Sequence, residues 1–306
     1  MCVLAGLGAA AQQRPTFRGT SDNVRVFTTV TDRDGRLVTT LEQKDFEIRD
    51  EGKPQPITLF DNSPQPIRLI VLLDVSGSMQ GNLPLLRDSA EELFKRLRPD
   101  DGIRMGTFGN NVTISPTFTH DLHELRDALP RAIAPDAPTP LWRGIDEGLD
   151  AFKTGSDEGG RPVILVLSDG KDSGPIGFRA KVVSQVDVIE RARDLGVMVY
   201  GIGMRSRGQR QMPGLGPGGL QAALMADWPD PGLARVAEGT GGGYVEIRFG
   251  QDLGAAFARV VDELHNQYLI GFAPPKRDGK VHDIDVRVAQ KGLKPRARKN
   301  YVAPKS

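Results

Sequence analysis

The chain has 306 residues, 39% of them hydrophobic and 26% charged, with a formal net charge of +1. That composition is globular, and the length suits one large α/β domain with a smaller companion. The near-zero net charge excludes a general attraction to nucleic acid or to a membrane surface. A single cysteine, Cys2, excludes an intrachain disulfide and a thiolate metal site.

In chain order, "MCVLAGLGAAAQQRP" comes first. Its apolar stretch ends in Ala9, Ala10 and Ala11, as a secretory signal does before cleavage. It lacks the positive n-region, so residues 1–16 read as a signal-peptide remnant outside the fold. Export is expected, to the periplasm, the cell envelope or the medium. No later apolar run is long enough to span a bilayer.

Residues 17–66 read as the first half of a β-module. "NVRVFTTVTD" and "RLVTTL" flank the turn signal "DRDG", and "DFEIRDEGKPQPITLFDN" reads as two more strands around Gly52. Residues 67–266 then alternate strand and helix. "IRLIVLL", "IRMGTFG", "PVILVLS" and "VMVYGIG" are mostly unbroken apolar runs, as strands buried on both faces should be. "VTISP" is short and reads as an antiparallel edge strand. Between the strands, Leu86, Ala90, Leu93 and Leu97 recur at helical spacing. So do Leu122, Leu125, Leu129 and Ile133, then Leu141, Ile145, Leu149 and Phe152, and later Leu253, Phe257, Val260 and Leu264. The alternation implies a doubly wound, mainly parallel sheet with helices on both faces. Residues 267–306 return to strands in "QYLIGFAP", "HDIDVRVAQ" and "LKPRARKNYV". Neither flank is long enough for a core of its own. Together they supply six or so strands, and one β-sandwich with the α/β domain inserted into it is expected. The Gly-, Pro- and Arg-rich stretch 204–230 fits no element and reads as a functional or disordered loop.

In open α/β sheets, ligands bind outside the carboxyl ends of the strands. Asp74, Ser76 and Ser78 lie at the end of the first such strand, and Asp169 lies near the end of "PVILVLSDG". Pro140 is placed for the first position of a helix beginning at Leu141, which puts Thr139 near its N-cap. Three hydroxyls and two carboxylates make a set of hard oxygen donors, suited to Mg²⁺, with Mn²⁺ or Ca²⁺ as alternatives, and unsuited to zinc.

"DVSGS", the threonine of "TPLW" and the aspartate of "LSDG" resemble the metal-ion-dependent adhesion site of the von Willebrand factor type A domain. The resemblance covers residues 67–266. It implies a Rossmann-like α/β fold in which Ser76, Ser78 and Thr139 bind the metal directly and Asp74 and Asp169 act partly through water. It further implies that an Asp or Glu of a protein or peptide partner completes the coordination. The flanks resemble the bracketing segments of bacterial von Willebrand factor A-related proteins of the acidobacterial type. Two other readings stand beside the binding module: a phosphatase-like metal-dependent hydrolase, and a scaffold with a structural metal. An aspartyl-phosphate phosphatase needs a second Asp where Ser76 stands, and no G-x-S-x-G turn surrounds either serine. No catalytic activity is expected. His120, His123, His265 and His282 have no evident route to the site, and "HDLHE" reads as a solvated helix start.

Overall fold

The computed structural model describes residues 23–153, 159–174, 182–205, 229–248 and 252–305. The expected signal remnant at 1–16 and nearly all of the stretch 204–230 lie outside them. Four strands come first: β1 (Val24–Thr31), β2 (Phe46–Asp50), β3 (Lys53–Gln55) and β4 (Leu59–Asp61). The α/β region follows as β5 (Ile67–Asp74), α1 (Leu83–Phe94), β6 (Gly102–Phe108), β7 (Val112–Ile114), α2 (Leu122–Asp127) and α3 (Leu141–Ala151). It continues through β8 (Arg161–Ser168), α4 (Gln185–Leu195), β9 (Met198–Met204), α5 (Pro231–Thr240), β10 (Tyr244–Ile247) and α6 (Leu253–His265). The chain closes with β11 (Tyr268–Phe272), β12 (Val281–Val288), β13 (Lys294–Arg296) and β14 (Asn300–Val302).

The central sheet has the order β10-β9-β8-β5-β6-β7 and is parallel except for β7. Its middle strand shows why the apolar runs are unbroken. Leu69, Val71 and Leu73 of β5 enter a core shared with Leu86 and Leu93 of α1 and with Phe257 and Leu264 of α6. Ile70 and Leu72 face the other way, into a core with Ile145 of α3, Val188 of α4 and Leu233 of α5. Both faces are covered, so neither set of alternate residues is polar. The chain leaves β5 for β6 on one side and returns with β8 on the other. Strand order therefore reverses between β5 and β8, and the crevice of the switch point opens at their carboxyl ends.

The two flanks make a second core. Sheets β13-β1-β11-β4 and β14-β12-β2-β3 enclose Val26, Ile48, Ile270, Phe272, Ile284 and Tyr301. Pairing of Val26 with Ile270 joins the two ends of the chain in one sheet. Among the described residues the flanks form eight strands, more than the six or so expected.

Three local expectations need correction. "RLVTTL" is no strand: only Leu37 makes a bridge, to Thr31. Val38 N donates to Val30 O at 2.9 Å, and there the pairing stops: Tyr268 Oη donates to Val38 O at 2.8 Å and accepts from Leu41 N at 3.0 Å, so a side chain takes over from the ladder. "LKPRARKNYV" is two strands in different sheets, because β13 pairs with β1 and β14 with β12. The helix beginning at Leu122 is capped by Asp121 and ends at Asp127; Leu129 and Ile133 are buried without being helical. Pro130, which cannot donate a backbone hydrogen bond, follows closely. Among the described residues, no helix is long and apolar enough to cross a membrane.

Candidate metal centre

β5 delivers Asp74 to the switch-point crevice fully buried. Its Oδ1 accepts the backbone N–H of Ser76 at 2.8 Å, a local turn that aspartate favours. Its Oδ2 accepts the hydroxyl of Ser168 at 2.5 Å. The chain then enters a 3₁₀ turn over Gly77–Asn82. Gly77 N donates to Ala137 O at 3.0 Å, and a Cβ built on Gly77 would lie 1.8 Å from Pro135 O. This close approach holds the Ser76–Ser78 loop against the 135–137 segment, and only glycine permits it. Gly77→Ala is expected to cost about 2–3 kcal/mol, the scale of overpacking a tight contact. It should also remove any Mg²⁺-induced rise in melting temperature. Urea unfolding with and without Mg²⁺ checks both, and a wild-type response would contradict this account of the loop.

The serines meet the second carboxylate. Ser76 Oγ and Ser78 Oγ are 3.1 Å apart, and Ser78 Oγ donates to Asp169 Oδ1 at 2.7 Å. Asp169 Oδ2 is buried with no hydrogen-bond partner among the described residues. Burial pushes the carboxyl of Asp74 above its ordinary range. Burial, and then the nearby Asp74, push Asp169 up to about 7, against the hydrogen bond from Ser78. Two desolvated carboxylates bridged by hydroxyls are costly unless a cation or protons compensate them.

Thr139 reaches the same crevice by a different route. It is buried, and a Cβ placed on Gly170 would lie 3.0 Å from its Oγ1, so its side chain sits over the residue after Asp169. Its carbonyl accepts from Leu141 N and Ser173 N, each at 2.9 Å. The N-cap of α3 is Pro140, so Thr139 stands one residue further out than expected. Proline has no side-chain acceptor, and the capping is supplied from elsewhere. Asp172 Oδ1 accepts from Trp142 N at 3.3 Å, while Oδ2 accepts from Gly174 N at 2.9 Å. Asp230 Oδ2 in turn accepts from Asp172 N at 3.0 Å, and its Oδ1 caps α5 through Gly232 N at 2.8 Å.

Asp74, Ser76, Ser78, Thr139 and Asp169 thus stand together at one edge of the sheet. Ser168 and Asp172 join these five. Ser168 was within reach of the sequence. It is the last residue of a buried strand that runs beside β5, so its hydroxyl falls next to Asp74. The donor set is all oxygen, with two carboxylates to balance a dication, and Asp169 Oδ2 is an acceptor with nothing to accept from. These residues fit a hard divalent metal.

A family model for the von Willebrand factor type A domain matches residues 69–229, more than half of the chain. The chain belongs to that family. Von Willebrand factor type A domains commonly mediate metal-dependent interactions with proteins. A von Willebrand factor type A structure from Catenulispora acidiphila is 12% identical with a TM-score of 0.50, over 85% of this chain and 72% of that one. Its likeness is one of fold. The conserved hypothetical protein BatB from Bacteroides thetaiotaomicron is 18% identical over 65% of this chain and 98% of that one, with a TM-score of 0.47. Proximal thread matrix protein 1 from the mussel byssus, with a zinc-occupied MIDAS motif, is 16% identical over 71% of this chain and 50% of that one, with a TM-score of 0.47. No curated protein matches this chain.

Proposed function

We propose that this chain is a divalent-metal-dependent protein-binding module with a complete adhesion site. Ser76, Ser78 and Thr139 would hold Mg²⁺ directly, with Mn²⁺ or Ca²⁺ as hard-cation alternatives. Asp74 and Asp169 tune the charge and orient water. The bound metal supplies an electrophilic position for an Asp or Glu carboxylate of a protein or peptide partner. The observation that carries this reading is the unpartnered, buried Asp169 Oδ2 beside two serine hydroxyls. Carboxylates that act through water and not by direct contact leave the metal short of negative charge, and an outside acidic group makes up the difference. The module acts outside the cytoplasm, a reading that rests on the signal-like residues 1–16, and its flanks follow the acidobacterial type.

Binding is favoured over hydrolysis by where the histidines stand. His265 and His282 are buried against Asp101 and Asp50, in the sheet's other end and in the sandwich. His120 and His123 are exposed at the start of α2. None of them forms an acid–base pair with Ser76 or Ser78 among the described contacts, so no histidine serves either hydroxyl as a base.

The test is partner capture from the source envelope fraction by the immobilised chain. Capture is expected in Mg²⁺, absent in EDTA, and lost in Asp74→Ala with a native circular dichroism spectrum. Equal capture by the variant, or full capture in EDTA, overturns the reading. Turnover of phosphate or carboxyl esters by the wild type and not by Asp74→Ala would replace it with the hydrolase.

A further inference from the structure

The sandwich carries a second group of metal-ligating side chains. β2 ends on Asp50, which is 1% exposed, and a two-residue turn, Glu51–Gly52, leads into β3. Both turn residues have positive φ, 48° for Glu51 and 75° for Gly52. Such turns favour Asn or Asp before the glycine. Glu51 is the one non-glycine at positive φ among the described residues, so a glutamate stands here against local preference. It is tied to β12: Glu51 N donates to Asp283 O at 3.0 Å, and Glu51 Oε1 accepts from Asp283 N at 2.8 Å.

β12 also brings His282, 4% exposed, against the end of β2. Its Nδ1 lies 3.1 Å and 3.3 Å from the two carboxylate oxygens of Asp50. Its Nε2 lies 3.2 Å from Asp278 Oδ1. Tyr301 Oη donates to Asp50 Oδ2 at 3.4 Å. One donor atom each from Asp50, Glu51 and His282 lies within 4.8 Å of the others.

The imidazole makes this more than a cluster of acids. When Nε2 donates to Asp278, the neutral ring turns the lone pair of Nδ1 towards the Asp50 carboxylate. An acceptor then faces an acceptor, and a cation must stand between them, either a proton or a metal. Three carboxylates surround one imidazole, so the local charge favours a dication. A carboxylate on the far nitrogen is the usual partner of a metal-ligating histidine, because it fixes the ring and makes Nδ1 a better donor. Mixed nitrogen and oxygen donors suit zinc and its neighbours, while Mg²⁺ and Ca²⁺ take oxygen.

We propose that Asp50, Glu51 and His282 form a second, zinc-class metal site that clamps the β2–β3 turn to β12, with Asp278 positioning His282. It is chemically distinct from the all-oxygen edge of the central sheet and independent of the reading given to that edge.

The test uses the full chain carrying Asp74→Ala, so that Zn²⁺ cannot report on the first site. Calorimetric titration is expected to show one equivalent of Zn²⁺ bound, not displaced by excess Mg²⁺. Glu51→Asn installs the residue the turn prefers, so metal-free stability should hold or rise while Zn²⁺ affinity falls at least tenfold. Asp278→Asn should weaken Zn²⁺ by about 10–100-fold, as loss of a supporting partner does. His282→Ala should abolish binding; if it fails to fold, Glu51→Asn decides. Absence of Zn²⁺ binding in Asp74→Ala, or undiminished binding after Glu51→Asn, overturns the proposal.

Discussion

In EDTA, the stability of this protein is expected to fall as pH rises from 5 to 8, and Mg²⁺ is expected to reverse that trend. The sign follows from Asp169. Its ordinary carboxyl would titrate near 3.8, and in the fold it is pushed up to about 7. Between those values the folded chain holds a proton that the unfolded chain has released. The stabilisation is therefore complete below 3.8 and is lost as pH rises through about 7. A displacement of about 3 pH units corresponds to roughly 4 kcal/mol. Asp169 is 1% exposed, so little of this is screened by solvent. Asp74, raised by its own burial, acts in the same direction. A divalent cation binds the deprotonated pair and competes with the proton, so its stabilising effect should be small at pH 5 and large at pH 8. Urea midpoints at four or five pH values, with EDTA and with saturating Mg²⁺, measure both curves. Asp169→Asn should flatten the first and remove most of the difference between them. A flat metal-free profile in the wild type would contradict the account of this pair.

The parts of this site that were legible in the sequence share one physical cause. β5 and β8 are buried on both faces, so each reads as an apolar run, and the carboxylates that close those runs, Asp74 at the end of β5 and Asp169 just after β8, stand out. The parallel α/β fold was legible for the same reason. What escaped was set by partners distant in sequence. "RLVTTL" has strand-forming residues, yet Tyr268, more than two hundred positions on, takes the hydrogen bonds of Val38 O and Leu41 N. The division of "LKPRARKNYV" between two sheets depends on β1 and β12 and leaves no mark in a charged, weakly alternating segment. Asp172 caps α3 from a loop thirty residues away, so no capping spacing could reveal it, and the Pro140 that signals a helix start hides the need for such a cap.

Glu263→Ala is expected to cost about 3 kcal/mol, because Glu263 anchors the junction between the sandwich and the α/β region. From α6, its Oε1 accepts from Tyr200 Oη of β9 at 2.5 Å and Thr29 Oγ1 of β1 at 3.0 Å, and it pairs with Arg296 of β13. Gln267 extends the network. Its amide donates to Thr29 Oγ1 at 2.7 Å and Tyr200 Oη at 3.1 Å, and its Oε1 accepts from Arg161 Nη1 at 2.5 Å. Arg161 also donates to Leu264 O at 2.5 Å and lies over the Phe27 ring, 4.5 Å from its centroid. Truncating Glu263 leaves two buried hydroxyls without their acceptor and Arg296 without its counter-ion. Breaking a buried pair from one side costs about 3–5 kcal/mol. The Arg296 side chain is 35% exposed, which places the expectation at the lower end. Glu263→Gln keeps an acceptor for Tyr200 and Thr29 and loses only the charge, so about half the cost is expected. The network lies towards the amino ends of β8 and β9, and the metal centre at the carboxyl ends of β5 and β8. Both variants should therefore keep the wild-type Mg²⁺ shift in melting temperature while losing denaturant stability. Glutamine as costly as alanine would mean that the charge, and not the hydrogen bonds, holds the junction. A wild-type urea midpoint for Glu263→Ala would remove the junction from the account of stability.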